Sequence, residues 1–343
     1  MTHSIAIFGS SGYAGGELIR LVDGHPDLHV AYLGAHTAAG RSLGSVHPHL
    51  RDGDRMLGPN DPSSAPPVDL AFLALPHGAS AEPAMALLER GTRVVDLGSD
   101  FRLDTEARYE EAYGAPHAYP GELGRWVYGL PELHRDAISD ADRVASPGCY
   151  PTSAILPLAP LLAGRLAEST GIVVDSMSGA SGAGRGVNAA LQFGAVDESA
   201  KAYKVLEHRH RPEMERALDD VADSPVDLIF TPHLVPMQRG ILTTIYATAT
   251  EGTTLDDVKA AFDDAYGSEP FVSIVDGSPE TRWIVGSNRA LISAHLDGRS
   301  GTVVLISAID NLLKGASGQA VQAANVMLGL DETVGLPMEG WMP

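Results

Sequence analysis

A chain of 343 residues is long for a single hydrophobic core and favours two domains. Hydrophobic residues at 44% and charged residues at 20% exclude a disordered chain, and a net charge of −20 argues against nucleic acid or anionic membrane surfaces as partners. One cysteine excludes an intrachain disulfide and a multi-cysteine zinc site; with no apolar run of roughly 18 to 20 residues and no basic leader, the expected location is the cytoplasm.

The first predicted element is a strand over Ile5–Phe8, followed by Gly9-Ser10-Ser11-Gly12-Tyr13-Ala14-Gly15 and a helix over Gly15–Val22. Strand, glycine turn and helix together present the free N–H groups of a helix start to a pyrophosphate, so this loop is the candidate dinucleotide site. A second strand, His29–Leu33, runs into Gly34-Ala35-His36-Thr37 and then Arg41. An NAD-preferring site carries Asp or Glu there for the ribose hydroxyls; Thr37 and Arg41 suit a 2′-phosphate and point to NADP. Pro59–Pro67 reads as an exposed loop, and strands over Asp69–Leu75 and Arg93–Leu97 flank a helix over Ser80–Leu88, completing the alternation of a parallel sheet. Asp100-Phe101-Arg102 then offers a guanidinium.

Ser146-Pro147-Gly148-Cys149-Tyr150-Pro151 bends the chain before a helix predicted over Thr152–Leu162. A thiol at such a helix start gains thiolate character from the dipole, which makes Cys149 the candidate nucleophile. A strand over Gly171–Met177 leads into Ser178-Gly179-Ala180-Ser181-Gly182-Ala183-Gly184-Arg185, whose backbone N–H groups can form an anion nest beside Arg185. His208 and His210 precede a helix starting near Pro212, and either can act as acid and base near neutral pH. With no third ligand in sequence, a metal at this pair is not expected. Strands over Asp227–Thr231, Ile241–Thr248 and Gly301–Ile309 predict a mixed or antiparallel second domain, the Thr- and Tyr-rich 241–248 run having one wetter face. A last helix spans Gly318–Leu328.

These segments resemble the N-acetyl-γ-glutamyl-phosphate reductase family along nearly the whole chain. The resemblance is carried by Gly9 to Gly16, Ala74-Leu75-Pro76-His77-Gly78, Asp96 to Leu103, Tyr128-Gly129-Leu130-Pro131-Glu132-Leu133, Ser146 to Thr152, Ser178 to Arg185, His208-Arg209-His210, Arg239 to Leu242 and Ile309 to Gly315. It implies a Rossmann-type doubly wound sheet over 1–148, an α+β catalytic and dimerisation domain with a mixed or antiparallel sheet over 149–311, and a helical segment, 312–343, returning to the first domain. It further implies that Cys149 is the nucleophile and that the His208/His210 pair holds the acid/base. NADP(H) would meet Gly9, Ser10, Ser11, Gly12, Tyr13, Ala14, Thr37, Arg41, Leu75, Pro76, His77, Ser181, Gly182 and Asn311. The acyl-phosphate substrate would meet Arg102, Ser178, Gly179 and Arg185, and the assembly would be a homodimer or homotetramer. The implied reaction is NADPH-dependent reduction of an acyl phosphate to an aldehyde in arginine biosynthesis, through a Cys149 thioester.

Aspartate-semialdehyde dehydrogenases share the fold and the Cys/His chemistry but lack the Asp100-Phe101-Arg102 and Tyr128 to Leu133 signatures. The lysine-pathway relative, acting on a carrier-linked aminoadipyl phosphate, has Gly-Ala-Gly-Cys-Asn where this chain has Ser146 to Pro151. A cofactor-reading redox sensor needs no histidine pair or anion loops, and a cysteine hydrolase needs no nucleotide loop.

Overall fold

The structure, a computed structural model, describes residues 2–186 and 189–342. It divides into two compact units, one of residues 1–110, 115–147 and 316–336, the other of residues 111–114, 148–315 and 337–343.

In the first unit seven strands form one sheet: β1 His3–Phe8, β2 Leu28–Ala35, β3 Gly58–Pro59, β4 Leu70–Leu73, β5 Arg93–Asp96, β6 Val127–Tyr128 and β7 Arg143–Ala145. Their order is β3-β2-β1-β4-β5-β7-β6, and every adjacent pair is parallel. Ile5, Ala6, Ile7 and Phe8 are buried, as are all four residues of β4, the apolar pattern of strands covered on both faces. The helix Tyr13–Asp23 covers the sheet with Leu18, Ile19, Leu21 and Val22. The chain winds outward on both sides of β1, so the end of β1 is the switch point where a doubly wound sheet opens a ligand crevice. The helix Gly318–Met327, buried throughout, belongs to this unit and packs on the helices Pro131–Ser139 and Tyr13–Asp23.

The second unit holds a mixed sheet of β8 Ile172–Ser178, β9 Lys201–Ala202, β10 Leu228–Leu234, β11 Ile241–Thr248, β12 Val272–Ile274, β13 Ala290–Asp297 and β14 Thr302–Ile309. The order is β12-β13-β14-β11-β8-β10-β9, with β8–β10 and β12–β13 parallel and the remaining pairs antiparallel. β11 alternates between buried and more exposed residues, giving the wetter face its composition implied. The helix Cys149–Ala163 packs on β11 and β14 and is buried from Tyr150 to Leu162; the carbonyls of Ser153 and Leu156, which Pro157 and Pro160 leave without an intrahelical donor, accept from the Ser307 and Tyr266 hydroxyls. The helix Leu255–Tyr266, capped by a reciprocal Thr254/Asp257 box, and the strand β13 have no counterpart among the predicted elements.

Candidate active site

In the first unit the loop after β1 is shaped by its glycines. Gly9 has φ +81°, and a Cβ there would lie 2.1 Å from the Ala74 carbonyl oxygen; a Cβ on Gly15 would lie 2.3 Å from the Gly9 oxygen. Gly12 is the N-cap of the helix Tyr13–Asp23 and supplies no side-chain cap, so the helix start is open to an acceptor from outside. This open, glycine-lined helix start at the switch point fits a dinucleotide pyrophosphate.

Ser10 is fully buried, and its hydroxyl and its N–H both donate to the Gly34 carbonyl, at 2.7 and 2.9 Å, so it ties the loop to the end of β2. Ser11, Tyr13 and Ala14 are all at least partly exposed. Two residues that the sequence did not single out complete the loop: Asn60 accepts from Gly9 N–H at 3.0 Å, and the His47 ring contacts the Ser10 carbonyl oxygen at 2.9 Å. Thr37 and Arg41 are exposed on the turn after β2, where Arg41 also donates to the Ser45 carbonyl.

The Leu75-Pro76-His77-Gly78 turn is anchored by a carboxylate 22 residues beyond Gly78. Asp100, fully buried, accepts from Gly78 N–H at 2.7 Å, Ser80 N–H at 3.0 Å and Ala81 N–H at 3.1 Å, which caps the helix Ala81–Glu89. His77 Nδ1 lies 3.2 Å from Asp100 and 2.9 Å from the Ser99 hydroxyl. Ser80 Oγ reaches both Asp100 and Asp96 at 2.9 Å, and Asp96 also accepts from Gly98 N–H. Arg102 is buried, with one N–H on the Leu97 carbonyl, and is therefore built into this loop rather than displayed on a flexible turn.

Burial, reinforced by the charge of Asp100, pushes the Asp96 carboxyl up to about 7, against the pull of Gly98, Ser80 and Arg102. Folding therefore takes up a proton between the ordinary carboxylate value and about 7. Stability contributed at low pH is lost as pH rises through that window. Thermal melts at pH 6 and pH 8.5 are expected to show Asp96→Asn gaining on the unmodified protein at the higher pH; parallel losses in the two would contradict this.

In the second unit Cys149 is the first residue of its helix, one turn earlier than the helix predicted from the sequence, and is partly exposed. The extended Gly148 N-cap aims its N–H at the buried Glu213 carboxylate, 2.8 Å away on the helix Arg211–Asp219. Gly315 fixes the other side, since a Cβ there would lie 2.7 Å from the Cys149 Cβ. Neither Glu213 nor Gly315 was singled out for such a role, because each acts across a long sequence separation.

Both histidines fall beside this helix. His208 and His210 have ring centroids 4.8 Å apart, and each meets Tyr150 edge-on, at 5.6 and 5.9 Å. Tyr203 and Phe230 complete the aromatic wall, with the Tyr150 and Tyr203 hydroxyls 2.8 Å apart. Burial, with Lys204 and Arg209 adding to it, pushes His208 down to about 4. Its Nδ1 accepts from the His210 N–H at 3.2 Å, which places the ring proton of the neutral form on Nε2. Burial also pushes the Tyr150 phenol above its ordinary value, and Tyr203 and Cys149 push the same way.

The loop after β8 forms a short 3-10 turn over Ala180–Ala183. Ser178 is buried, Gly179 approaches the Gln238–Arg239 backbone too closely for any side chain, and Gly182 sits over the Ser178 hydroxyl. Ser181 Oγ accepts from the Asn311 amide at 3.0 Å, while the Asn311 carbonyl accepts from Gly240 N–H at 2.8 Å, so the predicted residues Ser181, Gly182 and Asn311 are brought together. Arg185 is exposed at the end of this loop.

Residues 4–141 match the model of the semialdehyde dehydrogenase NAD binding domain, and residues 149–311 match that of the semialdehyde dehydrogenase dimerisation domain. The chain is 46% identical over 342 residues to the N-acetyl-gamma-glutamyl-phosphate reductase of Syntrophobacter fumaroxidans, covering 99% of each. It is likewise 46% identical to that of Paenarthrobacter aurescens, covering 100% of each. Among solved structures, aspartate semialdehyde dehydrogenase II of Vibrio cholerae superposes with a TM-score of 0.73 at 17% identity, over 96% of this chain and 99% of that one. The Candida albicans aspartate semialdehyde dehydrogenase with NADP superposes at 0.68 and 14%, again over 96% of this chain. At those identities the likeness speaks for the fold.

Proposed function

This chain belongs to the N-acetyl-gamma-glutamyl-phosphate reductases, within the semialdehyde dehydrogenase family, and we propose that it makes N-acetyl-glutamate semialdehyde and phosphate from N-acetyl-glutamyl phosphate through a Cys149 thioester. The observation that carries the chemistry is Cys149 at a helix start, braced by Glu213 and Gly315 beside two histidines.

In this reading the Cys149 sulfur attacks the γ-carbonyl, the carbon–oxygen bond to phosphate breaks, and phosphate leaves with the electron pair. The Ser178–Gly182 loop, with Arg185 and Arg102, receives the anionic groups, offering positive charge within a strongly acidic chain. NADPH, when bound, supplies the hydride that takes the thioester to the aldehyde level. Gly9 to Ala14 would hold its pyrophosphate and Thr37 and Arg41 its 2′-phosphate; Leu75 to His77, Ser181 and Gly182 would also meet the cofactor, and Asn311 would meet it near the nicotinamide. His210 gives a proton to the carbonyl oxygen as the hydride arrives and takes it back as the carbon–sulfur bond breaks, so that the aldehyde forms and the thiolate returns. His208, neutral and bonded to the His210 backbone, orients it.

Phosphate-dependent NADP reduction with N-acetyl-glutamate semialdehyde tests the assignment, and failure with that substrate alongside turnover of aspartate semialdehyde would overturn it. The redox-sensor reading predicts no turnover with either. The sequence around Cys149 and the full-length relatives leave the carrier-linked reading unfavoured.

Cofactor choice rests on the turn after β2, which has Thr37 and Arg41 and no carboxylate from Gly34 to Arg41. NADPH is expected to be preferred by roughly 10-fold or more, and Arg41→Ala to weaken NADPH far more than NADH. Equal kcat/KM for the two cofactors in the unmodified enzyme would refute this, and an unchanged ratio in the variant would move the phosphate contact elsewhere.

The assembly in this reading is a homodimer or homotetramer, formed on the sheet face where Met177, Ile229 and Tyr246 stand exposed on adjacent strands. No helix among the described residues is long and apolar enough to cross a membrane; a cytoplasmic location suits the chemistry.

A further inference from the structure

Asn311 is held from a turn, 237–240, that meets the end of β14 just where the sheet stops. β11 and β14 pair as far as Ile241 with Ile309, and beyond that point no strand continues. Side chains extend the ladder instead. Gly240 N–H donates to the Asn311 carbonyl, and next to it the Arg239 guanidinium grips the fully buried Asp310 carboxylate at 3.0 to 3.3 Å. Asp310 also accepts from the N–H groups of Leu312 and Leu313, which start the π-type turn Leu313–Ser317, and from Gly286 N–H at 2.7 Å. That turn carries Gly315, the residue against Cys149. One ion pair thus sets the position of both Asn311 and Gly315.

The outer side of Arg239 is covered by a segment that no functional role yet includes. The Trp341 ring lies under the guanidinium, 5.6 Å from ring centre to Arg239 Cζ. Its backbone is docked rather than loose: Trp341 N–H donates to the Val285 carbonyl at 2.7 Å, and Asn288 N–H donates to the Pro337 carbonyl at 2.8 Å. Two glycines are shaped to admit it. A Cβ on Gly286, which has φ +92°, would lie 2.5 Å from the Trp341 ring, and a Cβ on Gly340 would lie 2.3 Å from the Trp283 carbonyl oxygen. Trp341 itself remains 59% exposed, so packing into a core does not account for this construction. An aromatic face over a guanidinium shields it from water on one side and restricts its rotamers, which favours the geometry facing Asp310.

We propose that Trp341 is a positioning residue for the cofactor side of the active site: stacked on Arg239, it holds the Arg239–Asp310 pair, and through that pair the Asn311–Ser181 contact. The inference rests on the assignment of Asn311 and Ser181 to the cofactor made under the reductase reading, but its readout does not need turnover.

The test uses the full chain with Trp341→Ala, Trp341→Phe and Trp341→Leu, and the probe is NADPH itself, titrated by its fluorescence. Trp341→Ala and Trp341→Leu are expected to raise the NADPH Kd about fivefold, the size of an exposed cation–π contact, and to raise the KM for NADPH alike with kcat within about twofold. Trp341→Phe, which keeps an aromatic face, is expected to stay near the unmodified value. A role confined to stability predicts that Kd follows Tm across the three variants and that Leu, which keeps the apolar cover, rescues as well as Phe; either result overturns the proposal. So does an unchanged Kd in Ala and Leu, or no NADPH binding by the unmodified protein. An unmodified protein that binds NADPH but reduces no acyl phosphate overturns the reductase reading alone, since the ranking of Kd values can still be measured.

Discussion

Cys149→Ser is expected to lower kcat by more than about 1,000-fold while leaving the melting temperature and NADPH binding close to those of the unmodified protein. Serine is slightly smaller than cysteine and keeps the same Cβ against Gly315, so the helix start and its Glu213 contact survive. What is lost is the nucleophile: a seryl hydroxyl is far less acidic than a thiol and stays protonated at neutral pH, so it does not displace phosphate, and an ester is a poorer hydride acceptor than a thioester. Single-turnover assays with acyl phosphate should show no burst of phosphate release from the variant. Substantial reductase activity with contaminating wild type excluded would end the covalent mechanism.

The second large effect separates the histidines. His210→Asn is expected to lower kcat by about 100-fold or more, and His208→Asn to act mainly through KM and through the position of His210. With His208 pushed down to about 4, its ring is neutral throughout a neutral-pH assay, and a neutral imidazole is too weak an acid to give up a proton to the thiohemiacetal oxygen. The shift also fixes a stability window. Folding disfavours the charged ring, so the unfolded chain takes up a proton from the ordinary histidine value downward, and stability is lost as pH falls from about 6.5 toward 4. His208→Asn should lose less stability over that window than the unmodified protein. If His208→Asn instead showed the larger loss in kcat, the two roles would have to be exchanged; if neither variant slowed turnover, the pair is structural.

Much of this was legible in local sequence. Glycine spacing after an apolar run gave the loop after β1, and Pro-Gly before Cys149 gave a helix start, because both signals are contained in a few neighbouring residues. Only the first helical turn of Cys149–Ala163 was missed, since Pro151 reads as a break although the first turn tolerates it. The second sheet was read less fully. Ala290–Asp297 alternates weakly, and the helix Leu255–Tyr266 carries its start signal only in the Thr254/Asp257 capping box. What sequence could not offer was the bracing. Asp100 caps the helix start at Ser80 from 20 residues away, Glu213 holds Gly148 from 65, and Asn60 serves Gly9 from 51, and none of these partnerships leaves a periodicity. Arg102, read in sequence as a guanidinium offered to the substrate, is buried in the fold, a burial no local pattern announces.

The first unit draws residues from both ends of the chain, and this has a consequence during synthesis. When the ribosome has delivered residue 147, the seven-stranded sheet has all its strands but lacks the helix Gly318–Met327, whose apolar face meets Pro131–Ser139, Tyr13–Asp23 and β5. At elongation rates of about 5 to 20 residues per second, the remaining stretch takes on the order of 10 to 40 seconds to appear. For that interval the nascent nucleotide-binding half carries an uncovered apolar flank, a surface suited to chaperone capture, and its completion has to wait for the second unit to be translated.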